Sequence, residues 1–260
     1  MKPCIYPRSS STGALLKTSS DYAKFRDIYP ADFYTRVYQR GVGTKGQHVL
    51  DLGTGTGVIP RNMVQYGAQW TGVDISEQQI EQAEKLSAGM GIRYVVSPTE
   101  QMEFPAASFD AVTACQCFWY FDHEVLCPKL HEMLKPGGKL LVLYMAWLPY
   151  EDSLAMASEK LVLKYSPQWS GCGETMHPIS IPAVYNDSFR LVYQEEFPIS
   201  LPFTRESWHG RMKACRGIGA SLSEEKVAQW EKEHRQMLLH MAPPSFTVAH
   251  YIAMAELQKI

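Results

Sequence analysis

The chain has 260 residues, of which 45% are apolar and 20% charged, and its formal net charge is −2. That is the composition of a globular protein long enough to bury a sizeable core. A pI near 6.4 excludes the basic footprint that nucleic acid or an anionic membrane surface requires, so small or neutral partners are expected.

Residues 1–21 are polar and Ser/Thr-rich, with SSST at Ser9–Thr12, and 1–29 read as a flexible N-terminal segment ahead of a single domain over 30–260. The start, MKPCIYPRSSSTG, lacks the apolar stretch of a signal peptide, and no apolar run reaches membrane-spanning length. The six cysteines show neither a CxxC spacing nor a paired-histidine motif, which predicts free thiols in a reducing compartment and no metal site. The expectation is a cytoplasmic protein with no membrane or nucleic-acid partner, acting as a monomer or homodimer.

Phe33, Val37 and Tyr38 fall at helical spacing behind Pro30, a residue suited to a first helical turn. Strand and helix signals then alternate. Strands are predicted at 48–53, 68–75, 92–97, 109–116 and 139–146, and helices at about 58–66, 77–89 and 123–134. Ser76 with Gln79 has the pattern of a capping box, and LKPGGK at Leu134–Lys139 reads as the turn between the third helix and the fifth strand. This order implies a doubly wound, Rossmann-like parallel sheet with helices on both faces and ligands at the carboxyl ends of the strands.

After Trp147 the alternation stops. A helix is predicted near 151–164, a strand at 189–197, helices over about 204–218 and 223–241, and a closing apolar strand at 246–257. Two strands flanking an insertion suggest an antiparallel edge pair, with helical cap insertions at about 148–187 and 204–241.

The most informative run is HVLDLGTGTG, His48–Gly57. It reads as a buried strand that stops at an acid and enters a turn of three glycines, where a ligand can approach the backbone. Asp74 closes the second strand and can accept from both hydroxyls of a ribose. Ser97-Pro98-Thr99-Glu100 follows the third strand, where backbone groups can meet an adenine edge.

A dinucleotide is the competing ligand. Its fingerprint wants a small residue where Val58 stands. Asp51, just ahead of the glycines, would repel a pyrophosphate and suits a ligand with a positive centre. NAD(P) chemistry is therefore disfavoured.

VLDLGTGTG, GVDIS, SFDAV and MLKPGGKLLV together resemble a class I S-adenosylmethionine-dependent methyltransferase of the small-molecule, methyltransferase domain 11-like type. The resemblance implies a seven-stranded sheet, mostly parallel with an antiparallel last strand. It also implies S-adenosyl-L-methionine as cofactor, S-adenosyl-L-homocysteine as product and a small-molecule methyl acceptor. By the same resemblance Gly53 and Gly55 lie against the methionine part, with Asp51 anchoring that region directly or through water. Asp74 holds the ribose hydroxyls, Ile75 lies on the adenine face, Thr99 and Glu100 flank the adenine, and Cys115 and Gln116 pass beneath the methionine tail. Pro98 stands where many relatives have an acid. YAKFRDIYP resembles a segment that closes over the cofactor, which makes Tyr22, Arg26 and Tyr29 candidates for a lid.

In-line displacement from a sulfonium needs alignment more than a base, and the sequence assigns no catalytic acid or base. Trp119, Tyr120, Trp147, His177 and Arg211 are candidates for the acceptor pocket, with Trp208 and His209 beside them in sequence. Two alternatives remain at this stage. One is a non-catalytic S-adenosylmethionine-binding regulator, the other an NAD(P) oxidoreductase. A nucleic-acid methyltransferase is disfavoured by charge and by CQCFWY after the fourth strand.

Overall fold

A computed structural model of the chain describes residues 27–219 and 221–260. Tyr22 and Arg26, two of the lid candidates, lie outside the described residues. The chain divides into two compact units. A sheet unit contains Tyr29–Tyr144, Pro178–Glu196 and Ala253–Ile260, and a helical unit contains Met145–His177 and Phe197–Ile252.

Seven strands form one sheet: β1 (His48–Leu52), β2 (Gln69–Asp74), β3 (Arg93–Val96), β4 (Phe109–Cys115), β5 (Leu134–Trp147), β6 (Phe189–Thr204) and β7 (Ser245–Lys259). Their order is β3-β2-β1-β4-β5-β7-β6. The β1–β2, β1–β4, β2–β3 and β4–β5 pairs are parallel. β7 runs the other way: Leu148 at the end of β5 donates to Ala249 at the start of β7, while Lys259 reaches Leu134 at the start of β5. The expected antiparallel last strand is therefore present, between β5 and β6.

The parallel strands are buried because helices cover a sheet of this kind on both faces. Val49, Leu50, Leu52, Val73, Val112, Ala114 and Leu140–Leu143 are fully buried. Around them lie α1 (Ala31–Gln39), α2 (Val58–Met63), α3 (Glu77–Leu86) and α4 (His123–Met133).

Several boundaries differ from the sequence reading for local reasons. Pro30 is the extended residue before α1 rather than part of its first turn. LKPGGK is the start of β5, not a turn. Phe109 pairs with Leu134 but Ala111 already pairs with Lys139, so Lys135–Gly138 bulge out of the ladder, as an unpairable Pro136 demands. β6 runs to Thr204 through Pro198 and Pro202, which the outermost strand tolerates because its outer edge makes no ladder. The capping box is only half formed. Ser76 Oγ accepts from Gln79 N at 3.4 Å, but the Ser76 N–H is taken by Asp74 at 2.9 Å.

The helical unit holds α5 (Ser153–Tyr165), α6 (Arg205–Lys213) and α7 (Glu224–Met241). Their starts are set by Asp152, by a Thr204–Ser207 capping box and by Ser223, each side chain accepting first-turn N–H groups. α6 stops at Lys213, short of the expected 218. Among the described residues, no helix is long and apolar enough to cross a membrane.

Candidate functional site

The carboxyl ends of β1, β2, β3 and β4 are aligned in the sheet unit, with Asp51 opposite both Gly72 and Thr113, and Asp74 opposite Val96. The groups predicted to meet a cofactor sit on these ends.

Asp51 lies inside, 1% exposed. Thr54 donates to one of its oxygens at 2.7 Å and Thr113 to the other at 2.6 Å. Burial pushes its carboxyl up to about 7; the two hydroxyls pull it down and the nearby Asp74 charge raises it again. Asp51 thus acts on the turn through Thr54, holding the residue between two glycines. Neither threonine was singled out from the sequence, although Thr54 and Thr56 interleave with the glycines.

The three glycines do three different things. Gly53, Gly55 and Gly57 have φ of +56°, +56° and +74°, which only glycine adopts without strain. A side chain at Gly53 would strike Cys117 Cβ at 2.8 Å. One at Gly57 would strike Tyr94 Oη, so the phenol fills the space a small residue must leave. Val58, which stands where a dinucleotide fingerprint wants a small residue, is half-buried as the first residue of α2. Of the three, only Gly55 faces open space among the described residues, with none of them within 4 Å of where its Cβ would lie. Gly55 is therefore the part of the turn that a ligand could approach.

Asp74 is pinned beside it. One oxygen accepts from Gly55 N and the other from Ser76 N, each at 2.9 Å. A carboxylate has about four acceptor sites, so Asp74 keeps acceptor capacity for a ligand hydroxyl. Burial raises this carboxyl too, against three backbone N–H donors that lower it. Ile75, next in the chain, is 53% exposed and offers an apolar face beside the carboxylate. Thr99 is buried in a 3-10 turn after β3. Glu100 accepts from Asp122 N at 2.8 Å and so ties that turn to the start of α4.

At the end of β4, the Cys115 thiol donates to Tyr29 Oη at 3.4 Å, and the Cys117 thiol to Leu52 O at 3.0 Å. Burial raises Cys115 to about 12 and Cys117 well above its ordinary value, so both are neutral thiols with little nucleophilic character. Among the described residues every cysteine is free, and no group of three or more His, Cys, Asp or Glu side chains could hold a metal. Gln116 has φ +64°, a left-handed conformation rare outside glycine, at a bend that follows the strand. Tyr29 stacks on Phe33 with centroids 4.6 Å apart. Trp119 meets Tyr144 edge-on at 4.8 Å, and Tyr120 is 45% exposed.

The remaining candidates fall in the helical unit. The Arg211 guanidinium lies 4.8 Å over the Trp147 ring, and the Trp147 indole donates to Glu159 at 2.7 Å. His177 pairs with Glu174 at 2.9 Å.

The family described as Methyltransferase domain matches residues 50–142, which run from inside β1 to inside β5 and hold the glycine turn, Asp74, Thr99 and Cys115. Residues 50–142 are thus similar to a methyltransferase domain.

The chain is 30% identical over 127 residues to the ubiquinone biosynthesis O-methyltransferase of Xanthomonas axonopodis pv. citri, covering 47% of this chain and 53% of that protein. It therefore spans about half the length of that relative. Among solved structures it resembles a Haemonchus contortus phosphoethanolamine N-methyltransferase bound to phosphomonomethylethanolamine and S-adenosylhomocysteine. The TM-score is 0.54 at 19% identity, covering 96% of this chain and 61% of that one. It also resembles the [4+2]-cyclase SpnF, with a TM-score of 0.51 at 17% identity over 86% of this chain and 79% of that one. These likenesses show the fold. A cyclase among them means that the sheet alone does not specify methyl transfer.

The strand ends carry groups that could hold an S-adenosyl nucleoside. The open cradle at Gly55 admits a ligand to the backbone, Asp74 offers a bidentate acceptor for a diol, and exposed Ile75 gives an apolar platform for a base.

Proposed function

We propose that this chain binds S-adenosyl-L-methionine at the carboxyl ends of β1–β4 and transfers its methyl group to a small-molecule acceptor. The observation that carries the reading is the Asp74 carboxylate, held by Gly55 N–H and Ser76 N–H beside the glycine turn. When bound, the cofactor supplies an electrophilic methyl carbon on a sulfonium. The protein's part is to hold and align.

In this reading Asp74 takes the ribose hydroxyls, and Ile75 and Thr99 take the adenine. Glu100 shapes the adenine turn through Asp122 rather than by reaching the base. Gly53 is closed off by Cys117, so Gly55 is the backbone approach for the methionine part. Cys115 and Gln116 form the floor, and Trp119 and Tyr120 border the acceptor side. The relatives named above differ in acceptor, an O-methyl and an N-methyl transfer, so the acceptor atom is not carried over from them.

Asp74→Ala is the direct test. Loss of a bidentate charge-assisted pair costs roughly 2–3 kcal/mol, so S-adenosylhomocysteine affinity by calorimetry falls about 30–150-fold with little change in melting temperature. Unchanged affinity, or a wild-type protein stabilised by NADH and not by S-adenosylhomocysteine, overturns the reading. Label from a methyl-radiolabelled donor appearing in a panel of small acceptors separates an enzyme from a cofactor-binding regulator.

A further inference from the structure

Inside the helical unit, groups from three helices form one hydrogen-bonded line. His209 of α6 and His234 of α7 meet Nδ1 to Nδ1 at 2.9 Å. His234 Nε2 lies 3.2 Å from Ser158 Oγ of α5, and His209 Nε2 lies 3.4 Å from Glu231 Oε1 of α7. Ser158 Oγ also accepts from the Trp208 indole at 3.0 Å and lies 2.8 Å from Leu154 O. The two imidazoles are 1% and 0% exposed, and Trp230 stacks on both, at 5.2 and 4.6 Å.

Counting protons along this line leaves few arrangements. A neutral imidazole carries one N–H, and two touching Nδ1 atoms need one proton between them. If His209 supplied it, its bare Nε2 would face the Glu231 oxygen. If His234 supplies it, His209 Nε2–H donates to Glu231, and the bare His234 Nε2 accepts from the Ser158 hydroxyl. This second wiring leaves no lone pairs facing one another, so it is the neutral state. One added proton is also accommodated. His209 becomes an imidazolium against Glu231 and donates to His234 Nδ1; His234 moves its proton to Nε2, and Ser158 turns to Leu154 O. A second added proton has no place, because it sets two N–H groups head to head at 2.9 Å.

We propose that Glu231, His209, His234 and Ser158 form a one-proton relay that latches α5, α6 and α7 together and opens in acid. The proposal is independent of the methyl-transfer reading. The charged groups that face the relay are Glu206 and Lys213 of α6 and Glu231 and Arg235 of α7. Lys213 pairs with Glu231 at 2.9 Å, and Glu206 pairs with Arg235. On α5, Glu159 is turned away, toward the Trp147 and Gly173 N–H groups. Burial and the Arg235 charge hold His209 below its ordinary value while Glu231 raises it. Burial, then the His209 charge, carries His234 down to about 3. The pair thus takes its two protons in separate steps.

Long-range proton–nitrogen NMR of the histidine rings tests the wiring. At pH 7.5 His234 should be the Nδ1–H tautomer and His209 the Nε2–H tautomer. As His209 gains its proton on acidification, His234 should change to the Nε2–H tautomer at the same midpoint while staying neutral. His234 found as Nε2–H at neutral pH, or two rings titrating independently, overturns the relay. Glu231→Gln should move the coupled midpoint down by at least about one pH unit, a tenfold change, and leave the neutral tautomers unchanged; an unmoved midpoint overturns the role of Glu231. Amide exchange should show at least tenfold loss of protection in α6 and α7 near pH 3, with β1 and β4 still protected. Retained protection there overturns the latch.

Discussion

Asp51→Asn separates the cost of the buried carboxylate from its use. The substitution keeps the shape: Thr54 can still donate to the amide oxygen, and the Thr113 hydroxyl can turn to accept from the amide nitrogen. In the wild type, a carboxyl that titrates at 3.8 in the unfolded chain is held up to about 7 by burial. The folded carboxyl therefore keeps its proton after the unfolded one has lost it. Stability is fully present below pH 3.8 and is lost as pH rises to about 7. At 1.36 kcal/mol for each pH unit between those values, the loss is about 4 kcal/mol above pH 8 and about 1.6 kcal/mol at pH 5. Asp51→Asn should therefore be more stable than wild type at pH 8.5 by up to about 4 kcal/mol, and the gain should shrink steadily toward pH 4. Urea unfolding at pH 5, 7 and 8.5, read by amide exchange in β1 and β4, reports the sheet unit directly. A stability difference that does not change with pH refutes the argument. Weaker S-adenosylhomocysteine binding in the stabilised variant would show what the strained carboxylate is retained for.

Gly57→Ala and Gly55→Ala should part in a diagnostic way. At Gly57 the new methyl strikes Tyr94 on a backbone of φ +74°, costing roughly 2–4 kcal/mol. At Gly55 it meets open space, so only about 1–2 kcal/mol of stability is lost to backbone strain, while cofactor affinity falls sharply. Melting temperature and S-adenosylhomocysteine binding on both variants decide; equal destabilisation refutes the assignment. Trp119→Ala should raise KM for the acceptor several-fold without changing cofactor affinity, and a change in cofactor affinity instead would move Trp119 to the other side of the site.

The sheet was legible where burial is two-sided. His48–Leu52, Phe109–Cys115 and the apolar heart of β5 have apolar runs bounded by turn residues, and such runs have few alternatives. The strand ends carrying Asp51 and Asp74 followed from these runs. Boundaries set by partners were not legible. Lys135–Gly138 resembles a turn locally, yet Phe109 pairs across it. Pro198 and Pro202 signal a stop unless β6 is known to be an edge. Tyr94 was missed because its role depends on packing against Gly57 and Gly72; a glycine inside β2 was the available signal. The left-handed Gln116 has no signal in the chain.

The sequence by itself determined that one strand end offers glycines and the next an acid, because turn chemistry and strand periodicity are local. It pointed to a class of ligand through Asp74 and the glycine spacing. Only the tertiary structure decided which glycine faces outward, since that depends on where Cys117 and Tyr94 land. It also decided that Asp51 is a buried support rather than an open contact, and that His209, His234 and Ser158 meet at all. Those last facts are contacts between residues 25 to 76 positions apart, and proximity of that kind is a property of packing, which no local pattern encodes.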